Sequence, residues 1–154
     1  MKALYAGSFD PFTTGHLDIA KRALGIFGNL VIGVGFNEHK KGEFPVSERV
    51  AAIKKLFAGN PAVEVLSYKG LTAEFASEMG VGVLVRGVRN VADFEKEREL
   101  ADINLKVLGI PTIFIPADPD LSYVSSSMVR ELLHNGFDAS KYIPVDLKYS
   151  FSKQ

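Results

Sequence analysis

Short apolar runs alternate with helical spacings along the chain. Ala3-Leu4-Tyr5-Ala6 reads as a buried strand, and Leu17, Ala20, Leu24 and Phe27, three and four apart, mark a helix. Leu30-Val31-Ile32-Gly33-Val34-Gly35 is apolar almost throughout, as in a strand covered on both faces. A polar loop over 36–44 leads to Ser47 as a predicted N-cap, then to Val50, Ile53 and Phe57 on one helical face, with Gly59-Asn60-Pro61 as the stop. Val63-Glu64-Val65-Leu66 is a third strand. Leu71, Phe75, Ala76 and Met79 share a face of a short helix that stops at Gly80. Residues 81–85 form a fourth strand that runs into a loop, Arg86-Gly87-Val88-Arg89-Asn90. A longer helix over 91–108 ends at Gly109 and Pro111, and Thr112-Ile113-Phe114-Ile115 is the fifth strand. A helix over 125–135 stops at Asn135-Gly136, and 144–151 reads as a short terminal helix.

Five short strands separated by helices predict a doubly wound, five-stranded parallel sheet of the α/β class, Rossmann-like, with right-handed crossovers. Such sheets bind ligands outside the carboxyl ends of their strands, near the point where strand order reverses. The polar, unusual stretches follow that rule. Residues 7–16, 37–41, 70–72, 86–89 and 121–127 each come after a strand, so all five are expected on one rim.

Composition narrows the classes. At 154 residues, with no internal repeat or linker, 1–154 is expected to be a single domain with a core of its own. Eighteen basic and eighteen acidic residues cancel, which argues against a nucleic-acid-coating protein. The absence of cysteine excludes disulfides, thiolate metal sites and thiol nucleophiles. No apolar run reaches membrane-spanning length and the start lacks a signal pattern, so the expected location is cytoplasmic, with no membrane partner.

The stretch from Ala6 to His16 leaves a strand and opens a helix, where free backbone N–H groups and the helix dipole favour an anion. Gly7 is expected to let the backbone pass close to a ligand, Asp10-Pro11 marks a turn, and Thr13 or Thr14 suits an N-cap. His16 falls in the first helical turn and adds a side-chain donor. Arg86 and Arg89 at a strand end suit phosphate oxygens, or else answer Asp93, Glu95 or Glu97 as surface pairs. Asp93 and Glu97, four apart, share a helix face that Leu100 and Asn104 continue. Asp93, three after the N-cap candidate Asn90, reads as structural, and Glu97 reads as a site residue facing a ligand hydroxyl or an arginine. Lys40 and Lys41 are flexible point charges on a loop, and Ser125, Ser126 and Ser127 offer hydroxyl and backbone donors at a helix start. His39 and His134 lack partners at metal-ligand spacing, and no metal ligand is assigned. Gly33-Val34-Gly35 opens a lysine loop rather than a helix, so it is not a dinucleotide fingerprint. There is no P-loop and no Gly-x-Ser-x-Gly elbow.

The ordered set Gly7-Ser8-Phe9-Asp10-Pro11, Thr13-x-Gly15-His16, Lys40-Lys41, Glu48-Arg49-Val50, Val85-Arg86-Gly87-Val88-Arg89, Ala92-Asp93-Phe94-Glu95 with Glu97, and Ser125-Ser126-Ser127 covers essentially the whole chain. It resembles the bacterial phosphopantetheine adenylyltransferase family of the Thr/His-x-Gly-His nucleotidyltransferase superfamily. The resemblance implies the nucleotidyltransferase fold and reversible, magnesium-dependent transfer of AMP from ATP to 4′-phosphopantetheine, giving dephospho-CoA and pyrophosphate. It implies that His16 contacts the ATP phosphates and stabilises the transition state. Ser8, Phe9, Gly87, Val88, Arg89, Glu97, Leu121, Ser122, Tyr123, Val124, Ser125, Ser126 and Ser127 match nucleotide-binding positions. Ser8, Lys40, Thr72 and Arg86 match acceptor-binding positions, with Lys41 the alternative to Lys40. A homohexamer and CoA as a feedback ligand are implied in the same way. Leu121 stands where many relatives carry Trp or Tyr, and Glu38 where many carry Pro. The alternatives are another adenylyl- or cytidylyltransferase of the superfamily and a non-catalytic nucleotide-binding module.

Overall fold

A computed structural model describes residues 1–144. The strands are β1 (Lys2–Gly7), β2 (Asn29–Gly35), β3 (Val63–Tyr68), β4 (Val83–Val88) and β5 (Thr112–Pro116). The helices are α1 (Thr14–Phe27), α2 (Val46–Leu56), α3 (Thr72–Glu78), α4 (Val91–Leu108) and α5 (Ser126–His134), with 3₁₀ turns at Pro119–Leu121 and Ser140–Tyr142. The sheet is parallel, in the order β3-β2-β1-β4-β5. The terminal helix expected over 144–151 falls, beyond Pro144, outside the described residues.

Alternation along the central strands sorts the core into two layers. Ala3, Tyr5, Leu30, Ile32, Val83 and Val85 face one cluster, with Ile19 and Ala23 of α1, Ile53 of α2 and Val129 of α5. Leu4, Ala6, Val31 and Leu84 face the other, with Ala73, Phe75 and Ala76 of α3. Burial on both faces explains the near-continuous apolar runs, and each fully buried aliphatic side chain contributes about 1.5–3 kcal/mol. α4 differs: it touches β4, β5 and α3 yet buries no residue fully. No helix of the described residues is long and apolar enough to cross a membrane.

The strand order reverses between β1 and β4. Their pairing covers only Ala3↔Val83, Leu4↔Leu84 and Tyr5↔Val85. Beyond Tyr5 and Val85 the two strands part, and a crevice opens at their carboxyl ends, as doubly wound sheets do at a switch point.

Three local expectations change, and one residue without an assignment proves buried. The Arg86-Gly87-Val88 segment is strand, not loop, because it pairs with Phe114, Ile115 and Pro116 of β5. Pro45, not Ser47, occupies the N-cap of α2, and its φ of −55° suits entry to a helix without a side-chain cap. Leu71 is the exposed N-cap of α3 rather than part of its buried face. Arg49, polar and unassigned in the helical pattern, is buried.

Candidate active site

The turn that leaves β1 is built around an aromatic ring. Phe9 has a φ of 49°, a left-handed conformation uncommon outside glycine, and the Asp10–Pro11 peptide is cis. The Phe9 ring is buried and folds back over Gly7, where an added Cβ would lie 2.9 Å from it. Gly7 lines the cavity described below, as expected of a close backbone approach, and the side its Cβ would occupy is taken by this ring. Phe9 also meets Tyr5, Phe12 and His16 at centroid distances of 5.1, 5.1 and 5.0 Å. The imidazole of His16 is thus held edge-on by an aromatic cluster.

Thr13 caps α1. Its Oγ1 accepts the His16 N–H at 3.3 Å, and its own N–H donates to His16 Nδ1 at 2.9 Å, a capping box with histidine in place of the usual Glu or Gln. Because Nδ1 accepts, the proton of the neutral ring resides on Nε2. Burial, assisted by the charges of Arg86 and Arg89, pushes the His16 pKa down to about 3. At neutral pH His16 is therefore an uncharged N–H donor of fixed tautomer.

His16 lines a cavity of about 250 Å³ at the crevice. Ser8, Phe9, Gly87, Arg89, Glu97, Leu121, Val124, Ser125, Ser126 and Ser127 line it too, as does Arg86. Two helix N-termini, those of α1 and α5, meet at this cavity through Gly15, His16 and residues 125–127. First-turn N–H groups have no intrahelical partner, so both ends favour an anion. The three serine hydroxyls already have protein partners. Ser125 Oγ accepts the Met128 N–H at 3.1 Å, Ser126 Oγ donates to the Pro11 carbonyl at 2.8 Å, and Ser127 Oγ accepts from Arg130 at 3.3 Å. Ser126 spends its O–H on Pro11, but Ser125 and Ser127 accept and keep theirs, so the run offers the cavity hydroxyl as well as backbone donors. Val88, Ser122 and Tyr123 do not line it; Tyr123 turns outward, edge-on to Tyr142.

Arg86 spans the gap where β1 and β4 part. It grips Glu97 with Nε at 2.7 Å and Nη2 at 2.8 Å, and Nη1 donates to the Ala6 carbonyl. Burial works against the charge, but the Glu97 pair outweighs it and raises the pKa of Arg86. Glu97 thus meets an arginine, one of its two expected partners. Asp93 is structural as read: its N–H donates to Asn90 Oδ1 at 2.8 Å, and its Oδ2 accepts the Arg89 N–H at 3.1 Å. The repulsion between Asp93 and Glu97 is offset by Arg89 and Arg86.

A second cavity of about 290 Å³ lies against the same wall and shares Ala6, Arg86 and Glu97 with the first. Thr72, Leu100, Asn104 and the exposed Leu71 line it. Thr72 Oγ1 lies 2.8 Å from the Tyr68 hydroxyl. The hydroxyl of Thr112, also in this lining, is buried without a partner among the described residues. Lys40 and Lys41 line neither cavity and so are not gathered with Arg86 and Thr72. Their side chains have no hydrogen bond or ion pair to the described residues.

The motifs hide one cluster. Asp10 and Arg49 are both buried, 7% and 5% exposed, behind the turn. Asp10 accepts the backbone N–H groups of Glu43 and Phe44 at 2.8 and 2.9 Å. Arg49 donates to the carbonyls of Phe44 and Ser8 at 2.9 and 2.7 Å. The signal was present in the spacing, since Arg49 lies one turn before Ile53 and so shares its buried face.

Known proteins resemble this chain over most of its length. A family model described as cytidylyltransferase-like matches residues 4–132. The phosphopantetheine adenylyltransferase of Phocaeicola vulgatus is 47% identical over 147 residues, covering 96% of this chain and 97% of that protein. That of Bacteroides thetaiotaomicron is 46% identical over 143 residues, covering 93% and 95%. The chain belongs to the phosphopantetheine adenylyltransferase family. The relative of that name from Cutibacterium acnes is 42% identical over 144 residues, covering 94% and 92%. A crystal structure of a bifunctional NMN adenylyltransferase/ADP ribose pyrophosphatase from Francisella tularensis has a TM-score of 0.70 at 15% identity. It matches 92% of this chain, which spans 44% of that longer one, and the likeness speaks for the nucleotidyltransferase fold alone.

Proposed function

We propose that the chain transfers the adenylyl group of ATP to 4′-phosphopantetheine, reversibly, giving dephospho-CoA and pyrophosphate. The observation that carries this reading is the pair of adjoining cavities. One gathers two helix N-termini, His16, Arg86 and Arg89; the other reaches along α4 to Leu100 and Asn104; Arg86 and Glu97 form the wall between. The first suits a nucleotide and its phosphates. The second suits the extended arm of the acceptor, whose phosphate would lie toward Arg86 and Ser8, with Thr72 beside the arm.

The acceptor phosphate is largely dianionic at neutral pH, with a second pKa of about 6. One of its oxygens attacks the α-phosphorus, and the bond from that phosphorus to the oxygen bridging the α- and β-phosphates breaks. Pyrophosphate leaves with the electron pair. No general base is required; the work is alignment of two anions and dispersal of charge. In this scheme His16 donates from Nε2 to a phosphate oxygen, and Arg89 and the backbone N–H groups of 125–127 hold the polyphosphate. Phe9 contributes through its backbone, since its ring is buried. Glu97 fixes Arg86. Lys40, or Lys41 in its place, would approach from the loop over the acceptor phosphate.

Among the described residues no three or more His, Asp or Glu gather as a metal site, and the cavity carboxylates Asp93 and Glu97 are held by arginines. The chain's donors therefore fit a magnesium ion carried by ATP phosphates and water, not one caged by protein. Its chemistry would be to neutralise phosphate charge. A cytoplasmic homohexamer, with CoA as a feedback ligand in the acceptor cavity, belongs to the same proposal. For association between copies, its support is an apolar face of α4 that the chain leaves exposed.

The test is pyrophosphate release from Mg·ATP with and without 4′-phosphopantetheine. Release should depend on the acceptor. His16→Ala should lower kcat by roughly 10²–10³, the usual loss of one transition-state donor, while ATP affinity changes only a few-fold. Release with another acceptor only, or none with ATP still bound, would reject the reading.

A further inference from the structure

We propose that Asp10 and Arg49 are positioning residues that clamp the lysine loop, residues 36–44, to the turn behind His16, and so deliver a loop lysine to the acceptor phosphate. This rests on the adenylyltransferase reading of the site and assigns a task to two residues that line neither cavity.

The clamp grips one peptide from both sides. Asp10 divides its carboxylate between two successive amides, Oδ2 to Glu43 and Oδ1 to Phe44. Arg49 takes the Phe44 carbonyl with Nε and the Ser8 carbonyl with Nη1. Both holders are thereby tied to the turn, Asp10 by sequence and Arg49 through Ser8. A third strut comes from α5, where Arg130 Nη1 donates to the Asp10 carbonyl at 2.7 Å, three residues past the serine run. Phe44 adds a buried ring. The phosphate turn, the end of the lysine loop and the α5 N-terminus are thus one hydrogen-bonded unit, with Lys40 and Lys41 immediately before its grip.

Stability alone is a poor explanation of this arrangement. Burying opposite charges costs desolvation, and apolar side chains of similar size often serve a fold as well or better. What a planar fork and a bidentate carboxylate add is direction: each bond here fixes the backbone of the end of the lysine loop or of the turn that carries Ser8 into the cavity. Space has been kept for it too. A Cβ on Gly42 would lie 2.8 Å from Asp10 Oδ2 and 3.2 Å from Arg49 Nη2. Asp10 is held by two amides and cannot swing aside, so a side chain at position 42 must move the loop.

Gly42→Ala is the primary test, because it leaves every charge in place and lies in an exposed segment. Arg49→Lys is the second, since an ammonium keeps the charge but lacks the fork. Both should lower kcat/KM for 4′-phosphopantetheine between about 10-fold and 100-fold, the scale for misplacing a group by up to ~1 Å. The loss should appear mainly in the acceptor KM, with ATP affinity within about twofold, and the amides of Glu43 and Phe44 should exchange with solvent faster. In a Lys40→Ala/Lys41→Ala background, Gly42→Ala should cost almost nothing more, as residues acting through one another are non-additive. Equal losses for both substrates, an unchanged acceptor KM, or the same factor in the lysine-free background would overturn the proposal. A wild-type chain without acceptor-dependent pyrophosphate release would reject the adenylyltransferase reading itself; wild-type turnover with indifferent variants would reject only the clamp.

Discussion

The capping box at the start of α1 occupies the Nδ1 lone pair of His16, and burial, reinforced by the neighbouring arginines, opposes a second proton on the ring. The pH consequence has a definite sign. In the unfolded chain the imidazole takes up a proton near pH 6.5; in the folded protein it does so only near pH 3. Between these values the unfolded state binds more protons, so this group lowers stability as pH falls from 6.5 toward 3. His16→Gln should therefore flatten the loss of denaturation midpoint between pH 7 and 5. The His16 ring resonances of the free protein should hold the Nε2–H tautomer across that range. A polyphosphate beside Arg86 and Arg89 offsets the two charges, so nucleotide binding should raise the pKa of His16 and take up protons at pH 5. A free-protein midpoint near 6.5 in the NMR titration would contradict this account.

At the scale of elements, the first turn packs an aromatic ring over Gly7, on the side where a Cβ would stand. Gly7→Ala puts a methyl group against Phe9, which Tyr5, Phe12 and His16 hold on its other sides. Overpacking of this kind costs roughly 1–3 kcal/mol. Denaturant unfolding should show that loss, and turnover should fall with it because His16 is the ring's neighbour; unchanged stability would mean that the ring is free to move. The strands and helices themselves were legible because each central strand is buried on both faces, so apolar runs mark them. The carboxyl end of β4 was not. Arg86 and Gly87 look like loop, yet the ladder to β5 continues through them, and ladder partners lie far away in sequence. His16, Arg86 and Arg89 were legible as cavity residues from their place after strands, and Glu97 from its spacing on the helix that follows. The roles of Asp10 and Arg49 were not, since their partners are backbone groups that no side-chain pattern encodes.

For the whole molecule the decisive element is α4. It carries Glu97 at the wall between the two cavities, yet it buries no residue fully against its own sheet. Leu100, Ile103 and Val107, three and four apart, share one face, and Ile103 and Val107 are 56% and 69% exposed. An apolar face of this kind usually marks an association surface. A second copy covering it would fix α4, and through Glu97 would fix Arg86. Light scattering at micromolar concentration should give the mass of six chains, and Ile103→Glu should yield a smaller species. If assembly braces the wall, that variant should also raise the KM for 4′-phosphopantetheine, although Ile103 lines neither cavity. A wild-type chain that stays single over this concentration range would remove the expected hexamer. A dissociated variant with wild-type kinetics would show that the Arg86–Glu97 pair holds the wall without help from a neighbour.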